Sequence, residues 1–258
     1  MRLGPGLVAL TFLLVSSGCG GHEDKLPTKA TAEGPIGQGS SGVWLYRPAG
    51  KPKDIVVYFH GQGGPTEATP TNHLPWIRHL VARGSIVVYP RYETDFEVDP
   101  MQYAVNGVRA AMERIADDDL PVLAIGYSRG GALAVEYGAV AGARDVPVPD
   151  SIMSVFPATF GNQGHLVDLR PLPHFTKLLL LIGDADTVVG GNGAATLGQR
   201  LQASGFPGEN ITLDVVSSHG RFVADHFAPL QTTAAAKAAF WKPADSVLEV
   251  LDEGFVSG

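Results

Sequence analysis

Gly126-Tyr127-Ser128-Arg129-Gly130-Gly131 is the segment that most clearly indicates the fold of this protein. It directly follows a strand-like apolar run at 122–125 and directly precedes a helical run at 133–140. This pattern predicts a strand, a tight turn and a helix, with Ser128 on the turn beside the positive end of the helix. The alternative interpretation is an ordinary glycine-rich turn in which Ser128 only caps the helix.

Short apolar runs alternate with helical patterns along most of the chain. Apolar runs predict strands at 43–46, 55–59, 85–89, 122–125, 151–156, 178–182 and 211–216. Helices are predicted from Pro100, with Asp99 as N-cap, and over 130–141, 194–203 and about 223–240. The alternation predicts an α/β fold, with a mostly parallel, doubly wound sheet and functional residues at the carboxyl ends of the strands.

The composition of the 258 residues excludes several classes of function. Hydrophobic residues make up 45% of the chain and charged residues 17%, so a sizeable core can form. The net charge is −7 and no run is rich in Lys or Arg, so we expect no nucleic-acid partner. The single cysteine, Cys19, rules out an internal disulfide and a multi-cysteine metal site. We expect a monomer that acts on a small molecule without a cofactor or a metal.

Three further polar loops follow predicted strands and should meet Ser128 at one edge of the sheet. Their sequences are His60-Gly61-Gln62-Gly63-Gly64, Gly183-Asp184-Ala185-Asp186 and Ser217-Ser218-His219-Gly220. A serine hydroxyl becomes a useful nucleophile when a base, a group that orients the base and oxyanion donors surround it. The loops offer each of these residue types.

Together these motifs resemble the serine hydrolases of the α/β-hydrolase fold, over roughly residues 43–240. The serine turn matches the G-x-S-x-G nucleophile elbow, and the His-Gly-Gln loop resembles the oxyanion segment of esterases and lipases. The resemblance implies that Ser128 is the nucleophile and that the backbone N–H groups of Gln62 and Arg129 hold the oxyanion. His60 is then structural, and Gly61 and Tyr127 border the substrate.

The same resemblance implies the acid and the base, each with a rival. Asp186 is favoured as the acid because it precedes a valine by two residues, and Asp184 is the alternative. His219 is favoured as the base because it closely follows the last predicted strand, and His226 is its rival. The resulting order of serine, acid and histidine is that of this family. The Arg129 side chain is expected to pack or form a salt bridge outward, and assistance to an acidic substrate is the alternative.

The expected reaction is hydrolysis of a carboxylic ester through an acyl-enzyme. The motifs also look like those of the dienelactone-hydrolase-like and chlorophyllase-like branches. A peptidase or amidase of the same fold and a non-catalytic binding protein are the alternatives. A metal hydrolase is disfavoured because no H-E-x-x-H motif or other strong ligand spacing occurs.

The first 41 residues predict export from the cytoplasm. Met1-Arg2, the apolar run 7–15 and the small residues that follow are typical of a signal peptide over 1–18. The end of this segment resembles a bacterial lipobox, which implies lipid attachment at Cys19; an ordinary signal peptide is the alternative. We expect a flexible tether over 19–41 and a single hydrolase domain over 42–258, with a short cap segment at 157–176. The protein would be anchored in the cell envelope through this lipid, or secreted.

Overall fold

An eight-stranded, mostly parallel sheet organises the computed structural model of the protein, which describes residues 29–63, 67–93, 99–115, 119–159 and 167–256. The strands are β1 (Thr31–Ile36), β2 (Val43–Arg47), β3 (Asp54–Phe59), β4 (Ser85–Pro90), β5 (Val122–Tyr127), β6 (Ser151–Val155), β7 (Lys177–Gly183) and β8 (Ile211–Val216). They lie in the order β1-β2-β4-β3-β5-β6-β7-β8. β2 runs antiparallel to both of its neighbours, and all other pairs are parallel. The predicted α/β class is confirmed.

Helices cover both faces of this sheet. They are α1 (Leu74–Arg83), α2 (Pro100–Met112), α3 (Arg129–Val140), α4 (Asn192–Ser204), α5 (Ala234–Ala236) and α6 (Lys242–Val256), and a π-helical stretch, Lys237–Trp241, joins the last two. The start of α2 is as predicted, because the Asp99 side chain accepts a hydrogen bond from the Gln102 N–H at 3.3 Å and Pro100 follows the cap.

Two apolar clusters form the core, one on each face of the sheet. Alternate residues of a strand enter opposite clusters: Val57 belongs to the cluster that includes α2, α3 and α4, whereas its neighbour Val56 belongs to the cluster that includes α1 and α6. The strands β3, β4, β5 and β6 are buried at every position. Burial on both faces is why these strands are continuously apolar in sequence.

The predicted tether is wrong at its carboxyl end, because Thr31–Ile36 form the edge strand β1. Thr31 pairs with Arg47 and Ile36 with Val43 of β2. The strand has little apolar content since it is an edge strand and mostly exposed. The predicted signal peptide 1–18 and Cys19 lie outside the described residues. No helix in the described part of the chain is both long and apolar enough to cross a membrane.

The last predicted helix is also wrong in position. Residues 223–227 form a loop and a 3₁₀ turn covers Ala228–Leu230, so the helical run starts only at Ala234 and extends to Val256. The Thr233 side chain caps this run by accepting from the Ala236 N–H at 3.2 Å. Pro243 lies within this run, directly after the π-helical stretch Lys237–Trp241 and the first residue of α6.

Part of the predicted cap packs against the sheet instead of over its carboxyl edge. Leu169 and Leu172 are buried in the cluster beneath α3, and the Thr176 hydroxyl donates to the Pro149 carbonyl at 2.9 Å near the amino end of β6. Residues 160–166 of this segment lie outside the described residues. Only 157–159 of the described segment stay near the end of β6.

Candidate active site

Ser128 occupies the turn between β5 and α3 with a backbone that few residues adopt. Its φ is 56° and its ψ is −123°, outside the favoured regions for a residue with a Cβ. The surrounding chain holds this geometry: the Ser128 N–H donates to the Val155 carbonyl at 2.9 Å, and the Ser128 carbonyl accepts from Gly131 and Ala158 at 2.9 Å each. The predicted strand, tight turn and helix around Ser128 are therefore present.

Two glycines of this turn are required by close approach of backbone. A Cβ on Gly126 would lie 1.9 Å from the Gly130 carbonyl oxygen. A Cβ on Gly130 would lie 2.3 Å from the carbonyl oxygens of Phe59 and His60, which end β3 and begin the next loop. The turn and the loop after β3 are thus in direct contact, which brings the predicted oxyanion segment to the serine.

A buried hydrogen-bonded chain joins Ser128, His226 and Asp186. The His226 Nε2 atom lies 3.0 Å from the Ser128 Oγ, and the His226 Nδ1 atom lies 2.9 Å from the Asp186 Oδ2. All three residues are buried. The imidazole can therefore take the serine proton at one nitrogen while the carboxylate fixes the tautomer at the other.

The structure corrects the predicted base, because His219 does not reach Ser128. His219 is exposed, and its Nδ1 atom lies 3.0 Å from the carbonyl oxygen of Ser217. It pairs with Phe222 across a small hairpin, with two backbone hydrogen bonds of 2.9 Å and Gly220 at a φ of 57° at the tip. The hairpin turns the chain back, so the residue that returns to the serine is His226, the rival named above.

Asp186 is the carboxylate that meets the histidine, as the sequence favours. Its Oδ1 atom accepts from the N–H groups of Val188 and Val189 at 2.9 and 3.1 Å. Burial acts to raise the pKa of Asp186, but the hydrogen bonds from His226 and these two N–H groups together lower it below the ordinary value. The carboxylate is therefore ionised at neutral pH and can stabilise an imidazolium.

Asp184 contacts Ser218 instead of the histidine, and the sequence does not indicate this contact. It accepts from the Ser218 N–H at 2.8 Å and from the Ser218 hydroxyl at 2.6 Å, and that hydroxyl accepts from the Ala224 N–H at 2.9 Å. These hydrogen bonds lower the pKa of Asp184. Asp184 thus fastens the loop that carries His226 to the loop that carries Asp186.

The loop after β3 lies against the serine turn. A Cβ on Gly61 would be 3.0 Å from the Tyr127 ring and 3.4 Å from the Ser128 Cβ. Gln62 follows directly and is half-buried, and Arg129 is the first residue of α3, where an N–H has no intrahelical acceptor. These are the two backbone donors that the sequence predicts for the oxyanion.

His60 is buried among aromatic rings and hydrogen-bonded to backbone. Its ring stacks on Tyr92 with centroids 4.0 Å apart, and its nitrogens lie 2.7 Å from the Gly61 carbonyl oxygen and 3.0 Å from that of Arg91. Burial lowers the pKa of His60 to about 4, so the ring is neutral at pH 7 and donates to one of the two. This surrounding fits the expected structural role.

The side chains of Tyr127 and Arg129 point into the protein. The Tyr127 hydroxyl donates to the His226 carbonyl at 2.8 Å, which holds the backbone of the histidine. The Arg129 Nη1 atom lies 2.5 Å from the Oε1 of the buried Glu93, so its salt bridge is internal and the outward orientation is wrong. Tyr127 is buried as well, and its hydroxyl is engaged by the protein instead of facing a substrate.

Known proteins resemble this chain mainly in fold. No family model matches the chain. A Cladonia uncialis protein named methylphloroacetophenone synthase is 26% identical over 132 residues, which cover 46% of this chain and only 5% of that protein.

Solved structures match over most of their length. An inhibited esterase B from Lactobacillus rhamnosis superposes with a TM-score of 0.67 at 16% identity, covering 89% of this chain and 90% of that one. The α/β hydrolase MGS-M1 from a Medee basin deep-sea metagenome gives 0.58 at 16% identity, covering 87% and 98%. A Klebsiella pneumoniae protein carrying the name dienelactone hydrolase gives 0.59 at 16% identity, covering 85% and 98%. The chain therefore has the α/β-hydrolase fold.

The described ranges contain no candidate metal site. No group of three or more His, Cys, Asp or Glu side chains within them could hold a metal ion.

Proposed function

We propose that this protein is a serine hydrolase that cleaves carboxylic esters through an acyl-enzyme intermediate. The observation that carries the proposal is the chain of hydrogen bonds from Ser128 through His226 to Asp186, on a serine held at positive φ. A serine that only capped a helix would need neither a strained backbone nor a buried Ser-His-Asp arrangement.

The proposed reaction proceeds by acylation and deacylation of Ser128. The Ser128 Oγ attacks the ester carbonyl carbon while His226 Nε2 takes its proton, and the N–H groups of Gln62 and Arg129 stabilise the oxyanion. His226 then gives the proton to the departing alcohol, and the acyl group remains on Ser128. Water attacks this acyl-enzyme with His226 as base, the carboxylic acid leaves and Ser128 is regenerated.

An ester is favoured over an amide because the fold's neighbours include an esterase and because the described part of 157–176 provides no large cap over the carboxyl edge. A peptidase or amidase would use the same residues. The narrower likeness to dienelactone-hydrolase-like or chlorophyllase-like enzymes stays a prediction.

A panel of p-nitrophenyl esters from acetate to palmitate tests the proposal, with Ser128→Ala as the matched control. We expect wild-type hydrolysis of at least the shorter esters and loss of nearly all of it in Ser128→Ala. A fluorophosphonate probe should label wild type and leave the variant unlabelled. Equal inertness of both proteins toward esters and probe would support a non-catalytic binding protein on this fold.

We also propose export and lipid attachment at Cys19, on the motif described above. In a bacterial host, wild type should partition with the membrane fraction and carry a lipid-sized mass increase at its amino terminus. Cys19→Ala should be released from the membrane. A cleaved, unmodified and soluble wild-type protein would instead indicate an ordinary signal peptide.

A further inference from the structure

Within the described part of the chain, the ring of His226 has three aromatic neighbours, and one of them is exposed. The centroids of Tyr127 and Phe156 lie 5.3 and 6.5 Å from that of His226, and both residues are buried. Phe227 lies 5.7 Å away in an edge-to-face arrangement, with 59% of its surface exposed. The aromatic neighbour on the solvent-facing side of the histidine is therefore the exposed phenyl ring of Phe227.

Two further exposed apolar side chains lie on the loops that carry Asp186 and His226. Val188 is 61% exposed and donates its N–H to Asp186, and Val223 is 49% exposed in the loop that leads to His226. Single exposed apolar residues are common on protein surfaces, but several beside buried polar catalytic groups are typical of a binding surface.

The chemistry of the proposed reaction says which part of a substrate would reach Phe227. To protonate the departing alcohol, His226 must bring Nε2 within hydrogen-bond reach of the alcohol oxygen. The alcohol's carbon chain therefore begins next to the imidazole, with the acyl chain on the other side of the scissile bond. The rings of Tyr127 and Phe156 are buried, so an alcohol chain that extends from the imidazole toward solvent would have Phe227 as its aromatic contact.

We propose that Phe227 binds the alcohol portion of the ester, with Val188 extending the same apolar surface, and that the preferred substrates are esters of apolar alcohols. This inference rests on the proposed function. Because the alcohol leaves when the acyl-enzyme forms, Phe227 would act on acylation and have no contact to lose in deacylation.

Two ester series separate the alcohol from the acyl group. Ethyl, butyl and hexyl acetate vary the alcohol at nearly constant chemical reactivity, and ethyl acetate, butyrate and hexanoate vary the acyl chain. We expect Phe227→Ala to lower kcat/KM for hexyl acetate about tenfold more than for ethyl acetate, the size of effect that apolar contacts supply in specificity. The ratio along the acyl series should match that of wild type.

Phe175→Ala is the matched control. Phe175 has the same side chain and 61% exposure, but it lies just before the amino end of β7, at the opposite edge of the sheet. This variant should keep wild-type ratios in both series.

The outcomes distinguish the inference from the proposed function. An equal loss on every ester would mean that Phe227 only supports the histidine, and a loss confined to long acyl chains would place the acyl group there. Either result overturns the inference while leaving the esterase intact. Wild-type inertness toward all esters, equal to that of Ser128→Ala, overturns both.

Discussion

Two aspartates at opposite edges of the sheet show that the same residue type can have different roles. At the carboxyl edge, Asp186 meets His226 and two backbone N–H groups, and its pKa is lowered. At the amino edge, Asp54 begins β3 and meets Arg83 at 2.9 Å, yet burial raises its pKa to about 6 despite this ion pair. A permanently charged partner is thus not sufficient to hold the pKa of a buried carboxylate at its ordinary value.

The difference lies in how each carboxylate is solvated by the protein. The two N–H groups of the Asp186 loop replace water at fixed positions. Asp54 is fully buried and shares its arginine with Asp245 and Asp252, which lie 3.6 and 3.4 Å from Arg83. The carboxyl edge is arranged to hold a charge for chemistry, whereas the amino edge ties β3, α1 and α6 together.

The largest effect should come from the histidine at the carboxyl edge. We expect His226→Ala to lower kcat by roughly 10⁶-fold, because the base and its proton transfer are lost together. His219→Ala should keep kcat within about twofold, since His219 is exposed on its hairpin. Steady-state kinetics on p-nitrophenyl acetate measures both, and a greater loss in His219→Ala would reject the observed geometry.

The next effect tests the carboxylate itself. Asp186→Asn should lower kcat by about 10⁴-fold with little change in melting temperature, because an amide stabilises the wrong tautomer of His226. Asp184→Asn should act mainly on stability, lowering the melting temperature while kcat stays close to that of wild type, because the hydrogen bonds to Ser218 weaken.

Thermal unfolding and kinetics of the same two preparations separate these roles. Were Asp184→Asn the more severe variant in kcat at an unchanged melting temperature, Asp184 would have to be the acid.

The smallest effect concerns Asp54 and the pH dependence of stability. A folded-state pKa of about 6 against 3.8 unfolded means that the native state binds more protons between these values. The free energy of unfolding should therefore fall as pH rises from about 4 to 6, by at most about 3 kcal/mol through this group.

Asp54→Asn removes this titration, so its stability relative to wild type should improve as pH rises through 6. Urea unfolding at pH 4.5, 5.5 and 7 measures the difference. Parallel pH curves for the two proteins would show that Asp54 has an ordinary pKa.

The sequence predicts the strands of the sheet core well because burial on both faces leaves continuous apolar runs, as in β3 and β5. It misses β1, whose exposed edge position removes the apolar signal. It misplaces the last helix, whose predicted first residues 223–230 form a loop and a 3₁₀ turn instead.

In the site, Ser128 and Asp186 follow their strands within three residues, so local sequence locates them. His226 follows β8 by ten residues, and the hairpin between them depends on Gly220 and on the Asp184–Ser218 hydrogen bonds. Those contacts join parts of the chain that are 34 residues apart. No local pattern could therefore choose His226 over His219.

The position of β1 limits the length of chain available to the proposed lipid anchor. Thr31, the first residue of β1, lies twelve positions after Cys19. A chain of that length spans at most about 43 Å when fully extended, against about 80 Å for a segment that ends at residue 41. If Cys19 carries a lipid as proposed, the β1 edge of the domain would therefore stay within about 43 Å of the membrane surface.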